Sequence, residues 1–118
     1  MIEVKNITKK YGDRVAVKEL SFSIEPGKIY GFLGPNGAGK STTMNIITGT
    51  LAATSGTVLI NGHDIYEDPI EAKKCIGYLP EIPPLYGDMT PKEFLTFVAE
   101  AKRVDYEKIS RRVREVME

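Results

Sequence analysis

Residues 28–48 read KIYGFLGPNGAGKSTTMNIIT, and this stretch decides how the rest of the chain is read. It opens with Ile29-Tyr30-Gly31-Phe32-Leu33, apolar on both faces and halted by a glycine cluster, which predicts a buried strand. Gly34-Pro35-Asn36-Gly37-Ala38-Gly39-Lys40-Ser41 follows. Met44, Ile47 and Leu51 then recur at helical spacing, predicting a helix over 40–49. Strand, glycine loop and helix in that order are the context of a P-loop.

The residue types fit a cradle for clustered phosphate oxygens. Gly37 and Gly39 allow positive φ and close backbone approach, which a Cβ would block. A helix starting at Lys40 turns its free N–H groups and the positive end of its dipole toward the phosphates. Lys40 adds a mobile cation for the terminal phosphates, and the Ser41 hydroxyl suits Mg²⁺. Thr42 offers a second hydroxyl on the α-phosphate side. The dull alternative is a glycine-rich turn that binds nothing, and the flanking strand and helix count against it.

Moving outward, Glu25-Pro26-Gly27 is a tight turn just before the stretch. Ile2–Ile7 and Leu20–Ile24 alternate apolar with polar residues and predict strands with one buried face. Lys9-Lys10-Tyr11-Gly12-Asp13 between them reads as a loop, with Val15-Ala16-Val17 briefly apolar. Beyond the helix, Thr54-Ser55-Gly56 is a turn, residues 57–60 a strand and Asn61-Gly62 a hairpin turn. Asp68 with Pro69 opens a short helix to about Lys74. Residues 75–79 read as another buried strand, with Cys75 a small core residue. Three prolines among residues 80–87 forbid regular structure. Thr90-Pro91-Lys92-Glu93 is a capping box, and Phe94, Leu95, Val98 and Ala101 give an amphipathic helix. Asp105 caps a last helix whose predicted buried stripe is Ile109, Val113, Val116 and Met117.

The 118 residues carry 16 basic and 16 acidic side chains. Charge balance gives no electrostatic case for nucleic acid. The single cysteine excludes an internal disulfide. Neither a signal peptide nor a run of spanning length is present, so the expectation is a cytoplasmic chain that meets a membrane only through a partner. His63 follows the hairpin turn, is expected to be exposed and has no partners for a metal role. Arg103, Arg111, Arg112 and Arg114 have acidic neighbours and read as a solvated helix face.

Taken together, these residues resemble the first half of an ABC-transporter ATPase subunit, along the whole chain. GPNGAGKSTT at 34–43 is similar to that family's P-loop. Tyr11 in KKYGD matches its aromatic adenine platform, and TSGTVLINGHDI at 54–65 its next strand. IGYLPE at 76–81 falls where the family carries a glutamine loop, and the helix after MTPKEFL matches the start of its helical subdomain. The wording IGYLPEIPPLYGDMT looks most like ATPases of bacterial multidrug or ABC-2-type exporters.

The resemblance implies an α/β fold: a P-loop NTPase core with N-terminal antiparallel strands, over 1–87, and the start of a helical subdomain over 88–118. It implies binding of ATP with Mg²⁺ by Tyr11, Ala16, Asn36, Gly37, Ala38, Gly39, Lys40, Ser41 and Thr42. Val15 and Ala16 keep a second reading as core packing. Lys40 and Glu81 take the catalytic roles; Ser41 and Glu81 hold the metal. Glu81 departs from the family's usual Gln, and a carboxylate oxygen still ligates Mg²⁺. The implied partners are a second ATPase subunit and a transmembrane permease, which place the chain at the inner face of the cell membrane with no insertion of its own. The family's signature motif, catalytic Glu and switch His lie downstream of these residues. The expectation is therefore half of one composite site, weak nucleotide binding, little or no turnover, and open sheet edges that favour aggregation. Two other readings stay open: an ATPase acting on ribosomes or DNA, and a fragment that binds nucleotide without hydrolysing it.

Overall fold

An alternating segment becomes a strand only with a neighbour to hydrogen-bond, and Ile2–Tyr11 (β1) has one on each side. Arg14–Ile24 (β2) pairs antiparallel along one edge and Ser55–Ile60 (β3) along the other. His63–Asp64 (β4) adds a short hairpin arm to β3, so the sheet order is β2-β1-β3-β4. The computed structural model describes residues 1–118 as two compact units, 1–78 and 79–118.

β1 runs further than its side chains suggest. Lys9, Lys10 and Tyr11, expected in a loop, pair with Val17, Val15 and Arg14 right up to the Gly12-Asp13 turn. Ladder bonds belong to the backbone, so charged side chains directed at solvent do not end a strand. The β1–β2 register is irregular between Val4 and Ile7, and again between Ile7 and Lys10. Asn6 and Glu19 take positive φ there, and side-chain hydroxyls mend the ladder. Asn6 N–H donates to Ser21 Oγ at 2.8 Å, and Glu19 N–H donates to Thr8 Oγ1 at 3.0 Å.

One face of this sheet buries Val4, Ile7, Val17, Val58 and Ile60 against Ile65, Lys40–Ile47 (α1) and Pro69–Lys74 (α2). α1 contributes Ile46, Ile47 and Thr43, while Met44 of the predicted stripe is exposed. Each fully buried Ile contributes about 1.5–3 kcal/mol. Asp68 precedes α2 but makes no side-chain cap bond; its carboxylate instead meets His63 Nδ1 at 2.8 Å.

Two predicted strands do not form. Residues 29–33 lack regular structure, and Leu33 is 94% exposed. Phe32 is tilted against Phe22, with ring centroids 5.8 Å apart. Residues 76–79 are also irregular, and Cys75 is exposed rather than core. Neither run joins the sheet β2-β1-β3-β4, and apolar character alone forms no ladder.

In the second unit, Pro91–Ala101 (α3) packs on Tyr106–Met117 (α4). Thr90 and Glu93 form the predicted capping box, with reciprocal bonds of 3.2 and 2.7 Å. Tyr86 ties the proline-rich segment to α3 through an edge-on contact with Phe97 at 5.8 Å. α4 buries Ile109 and Val113, but Val116 and Met117 are exposed, and Asp105 pairs with Lys108 instead of capping.

Glycine 56 has φ +95°, and a Cβ there would stand 2.6 Å from the Asn6 carbonyl carbon and 2.7 Å from Ile7 Cα. Gly62 has φ +84° in open space. Gly62→Ala should cost about 1–2 kcal/mol from backbone strain. Gly56→Ala should cost about 1–3 kcal/mol more, because β3 must move off β1; urea unfolding of both variants checks the order. The capping hydrogen bonds from Thr90 hold the Glu93 carboxyl below its ordinary range. A depressed folded-state pKa means the box stabilises α3 above the ordinary glutamate range and weakens as pH falls through the depressed value. A ¹³C carboxyl titration should show Glu93 titrating low, and Thr90→Ala, which keeps the backbone N–H and loses only the hydroxyl, should move it back up only in part.

Candidate functional site

The glycine loop becomes a site because of where it meets the sheet. Gly39, the residue before α1, has φ +91° and lies directly on β2. A Cβ there would stand 2.6 Å from the Ala16 carbonyl oxygen and 3.1 Å from Val17 Cγ2. Only glycine supplies both the backbone angle and the approach. The loop closes on itself through Ala38 N–H to the Pro35 carbonyl at 3.1 Å. Thr43, buried in the first turn of α1, donates its hydroxyl back to the Gly39 carbonyl at 2.8 Å.

Between loop and hairpin lies a cavity of about 170 Å³. Asn36, Gly37, Gly39, Lys40, Ser41 and Thr42 line it from the loop side, with Pro35; Ala16 and Arg14 line it from β2. Two of these residues are cations and none is a carboxylate. α1 has no side-chain cap and no acidic residue in its first turn, so the positive end of the helix is unopposed. Lys40 Nζ donates to the Gly34 carbonyl and, at 3.1 Å, to the Pro35 carbonyl. The ammonium is thus folded onto the loop it would leave to reach an anion. The cavity falls below the roughly 300–1,000 Å³ of sites that swallow a whole ligand. Its chemistry and size suit a chain of phosphates, with the remainder of such a ligand outside.

The sequence-predicted residues divide. Ala16, Asn36, Gly37, Gly39, Lys40, Ser41 and Thr42 come together in this cavity. Ala38 shapes the loop but does not line it. Tyr11 ends β1 directly opposite Arg14, half exposed, with Lys9 Nζ 5.1 Å from its ring centroid. Glu81 is exposed on the irregular segment of the second unit. Sequence reasoning missed Arg14. Its charge at the hairpin end was readable, but an irregularity at Val15–Val17 interrupts strict alternation there, so its place beside Ala16 does not follow from spacing.

A hard cation fits this wall only as a companion of phosphate. No group of three or more His, Cys, Asp or Glu side chains is arranged to hold a metal. Ser41 offers one exposed hydroxyl at the cavity. One protein oxygen completed by ligand phosphates is the way Mg²⁺ is commonly bound. No helix is long and apolar enough to cross a membrane.

The sequence profile of the ABC transporter family matches residues 17–118. The chain is 42% identical over 115 residues to the Escherichia coli protein named "Probable multidrug ABC transporter ATP-binding protein YbhF", covering 94% of this chain and 20% of that one. It is 38% identical over 118 residues to the "Linearmycin resistance ATP-binding protein LnrL" of Bacillus subtilis, covering all of this chain and 38% of that one. The chain therefore spans well under half the length of these curated relatives. A solved ATP-binding subunit of an ABC transporter superposes with a TM-score of 0.85 at 32% identity, over 94% of this chain and 46% of its own. A dimeric ATP-binding cassette in a post-hydrolysis state, bound to ADP and Pi, superposes with a TM-score of 0.79 at 29% identity, over 98% of this chain and 55% of its own.

Gly39→Ala should lower stability by more than about 1 kcal/mol, because the added methyl meets backbone and φ is positive. Gly37, whose Cβ would meet nothing within 4 Å, should be affected by backbone strain alone. Thermal melts of the two variants should rank Gly39→Ala clearly below Gly37→Ala.

Proposed function

The chain belongs to the ABC transporter family, and on that premise we propose that its cavity binds the phosphates of ATP. The observation that carries this reading is electrostatic. Two cations, an uncapped helix N-terminus and no carboxylate border one cavity beside the glycine loop. Gly37 and Gly39 let the loop backbone wrap the phosphates, with Asn36 and Ala38 between and before them. Lys40 swings from the Gly34 and Pro35 carbonyls to the β- and γ-phosphates. Thr42 serves the α-phosphate side. Tyr11 stacks on the base outside the cavity, with Ala16 beneath the sugar.

Mg²⁺ would neutralise developing charge on the phosphates, with Ser41 the residue at the cavity to hold it; for Glu81, a metal role rests on the family resemblance alone. In the complete subunit, the reading extends to ATP hydrolysis coupled to transport, with Lys40 and Glu81 at the reacting phosphate. A second ATPase subunit closes over the cavity, and a transmembrane permease holds the pair at the inner membrane face. The dimeric cassette with ADP and Pi supports the first partner; the relatives' transporter names support the second. Residues 1–87 form the nucleotide-binding part, and 88–118 begin the helical subdomain.

Titration of the full-length protein with a fluorescent ATP analogue and Mg²⁺ tests this. Lys40→Ala should weaken binding by about 1.5–3 kcal/mol, the worth of a charged hydrogen bond. Unchanged affinity would remove Lys40 from the site.

A further inference from the structure

Arg14 is the second cation of the cavity, and it enters from the side opposite the loop. It lines the wall from β2, as Ala16 does. It is also the direct cross-strand partner of Tyr11, so both side chains leave the same face of the hairpin end. No hydrogen bond or ion pair within the chain engages its guanidinium. A hairpin-end arginine is ordinarily a solvated charge. This one borders a cavity that holds no carboxylate to pair with it, beside an unopposed helix N-terminus.

The two cations line one cavity from different elements, Lys40 from α1 and Arg14 from β2. Lys40 rests on the Gly34 and Pro35 carbonyls at the loop end. Arg14 projects beside Tyr11 at the hairpin end. The base is joined through the ribose to the α-phosphate, the phosphate nearest it, so a base stacked on Tyr11 puts the α-phosphate closest to Arg14 of the three. Resting on the ATP reading above, we propose that Arg14 is a nucleotide-contacting residue that donates to the α-phosphate. A planar fork of donors suits two oxygens of one phosphate, as an ammonium does not. Its contribution is therefore common to ATP and ADP. Lys40, serving the β- and γ-phosphates, discriminates between them.

Isothermal titration of the full-length protein with Mg-ATP and with ADP tests this for wild type, Arg14→Ala and Arg14→Lys. Arg14→Ala should lose about tenfold in affinity, by the same factor for both nucleotides. Arg14→Lys should recover part of the loss. The melting temperature without nucleotide should not change, because the side chain has no partner to lose. Equal affinity of Arg14→Ala and wild type for both nucleotides would reduce Arg14 to a surface charge. A loss confined to ATP would place it at the γ-phosphate and overturn the assignment. Failure of the wild type to bind either nucleotide would instead overturn the ATP reading itself, whatever Arg14 does.

Discussion

The close approach of Gly39 to the Ala16 carbonyl is the constraint on which the site depends. It sets where α1 begins and holds that beginning against β2. The loop before Gly39 must then arch away from the sheet and return, and the arch encloses the cavity. Thr43 secures the same corner from inside the helix by bonding back to the Gly39 carbonyl. A larger residue at position 39 would push helix and strand apart, because its Cβ meets backbone that cannot swing aside. The cavity would open on its hairpin side, where Ala16 and Arg14 form the wall.

What this corner holds is positive charge with little to oppose it. The helix end, Lys40 and Arg14 share the space with uncharged polar groups. Like charges brought together without a counter-ion destabilise the fold that gathers them, so the arrangement makes physical sense toward an anion. Lys40 is lodged on two carbonyls of the loop, which quiets one of the cations. The other has no such partner. The mechanical parts of the site are thus few: one glycine contact, one buried threonine and a strand pair that carries two opposed side chains.

The rest of the first unit supports that corner without touching it. β1 is paired along both edges, and its irregular register is absorbed by hydroxyls of Ser21 and Thr8 in place of ladder partners. The core beneath α1 is aliphatic, from Ile7 to Ile65, and keeps the helix on the sheet. Residues 29–33 contrast with this. They lead into the glycine loop while remaining open to water, apart from the Phe32–Phe22 contact. The loop is therefore located from its helix side, by Gly39 and Thr43, and not by a paired strand behind it.

Much of the chemistry whose cause lies within a few residues was legible in the sequence, though Asp68 and Asp105 spend their carboxylates on His63 and Lys108 instead of capping. The glycine loop, the start of α1 at Lys40, the Gly12-Asp13 and Asn61-Gly62 turns and the Thr90–Glu93 box all belong to this class. Each is decided by steric freedom or by a hydrogen bond between near neighbours in the chain. Strand formation at 29–33 and 76–79 was misread, as were the burial of Cys75 and the end of β1 before Lys9. A strand takes its hydrogen bonds from elsewhere, so apolar content says what would be buried, not whether a partner arrives. Arg14 shows the same limit in the site. Its charge was readable, but its place at the cavity exists only because Gly39 draws α1 onto β2.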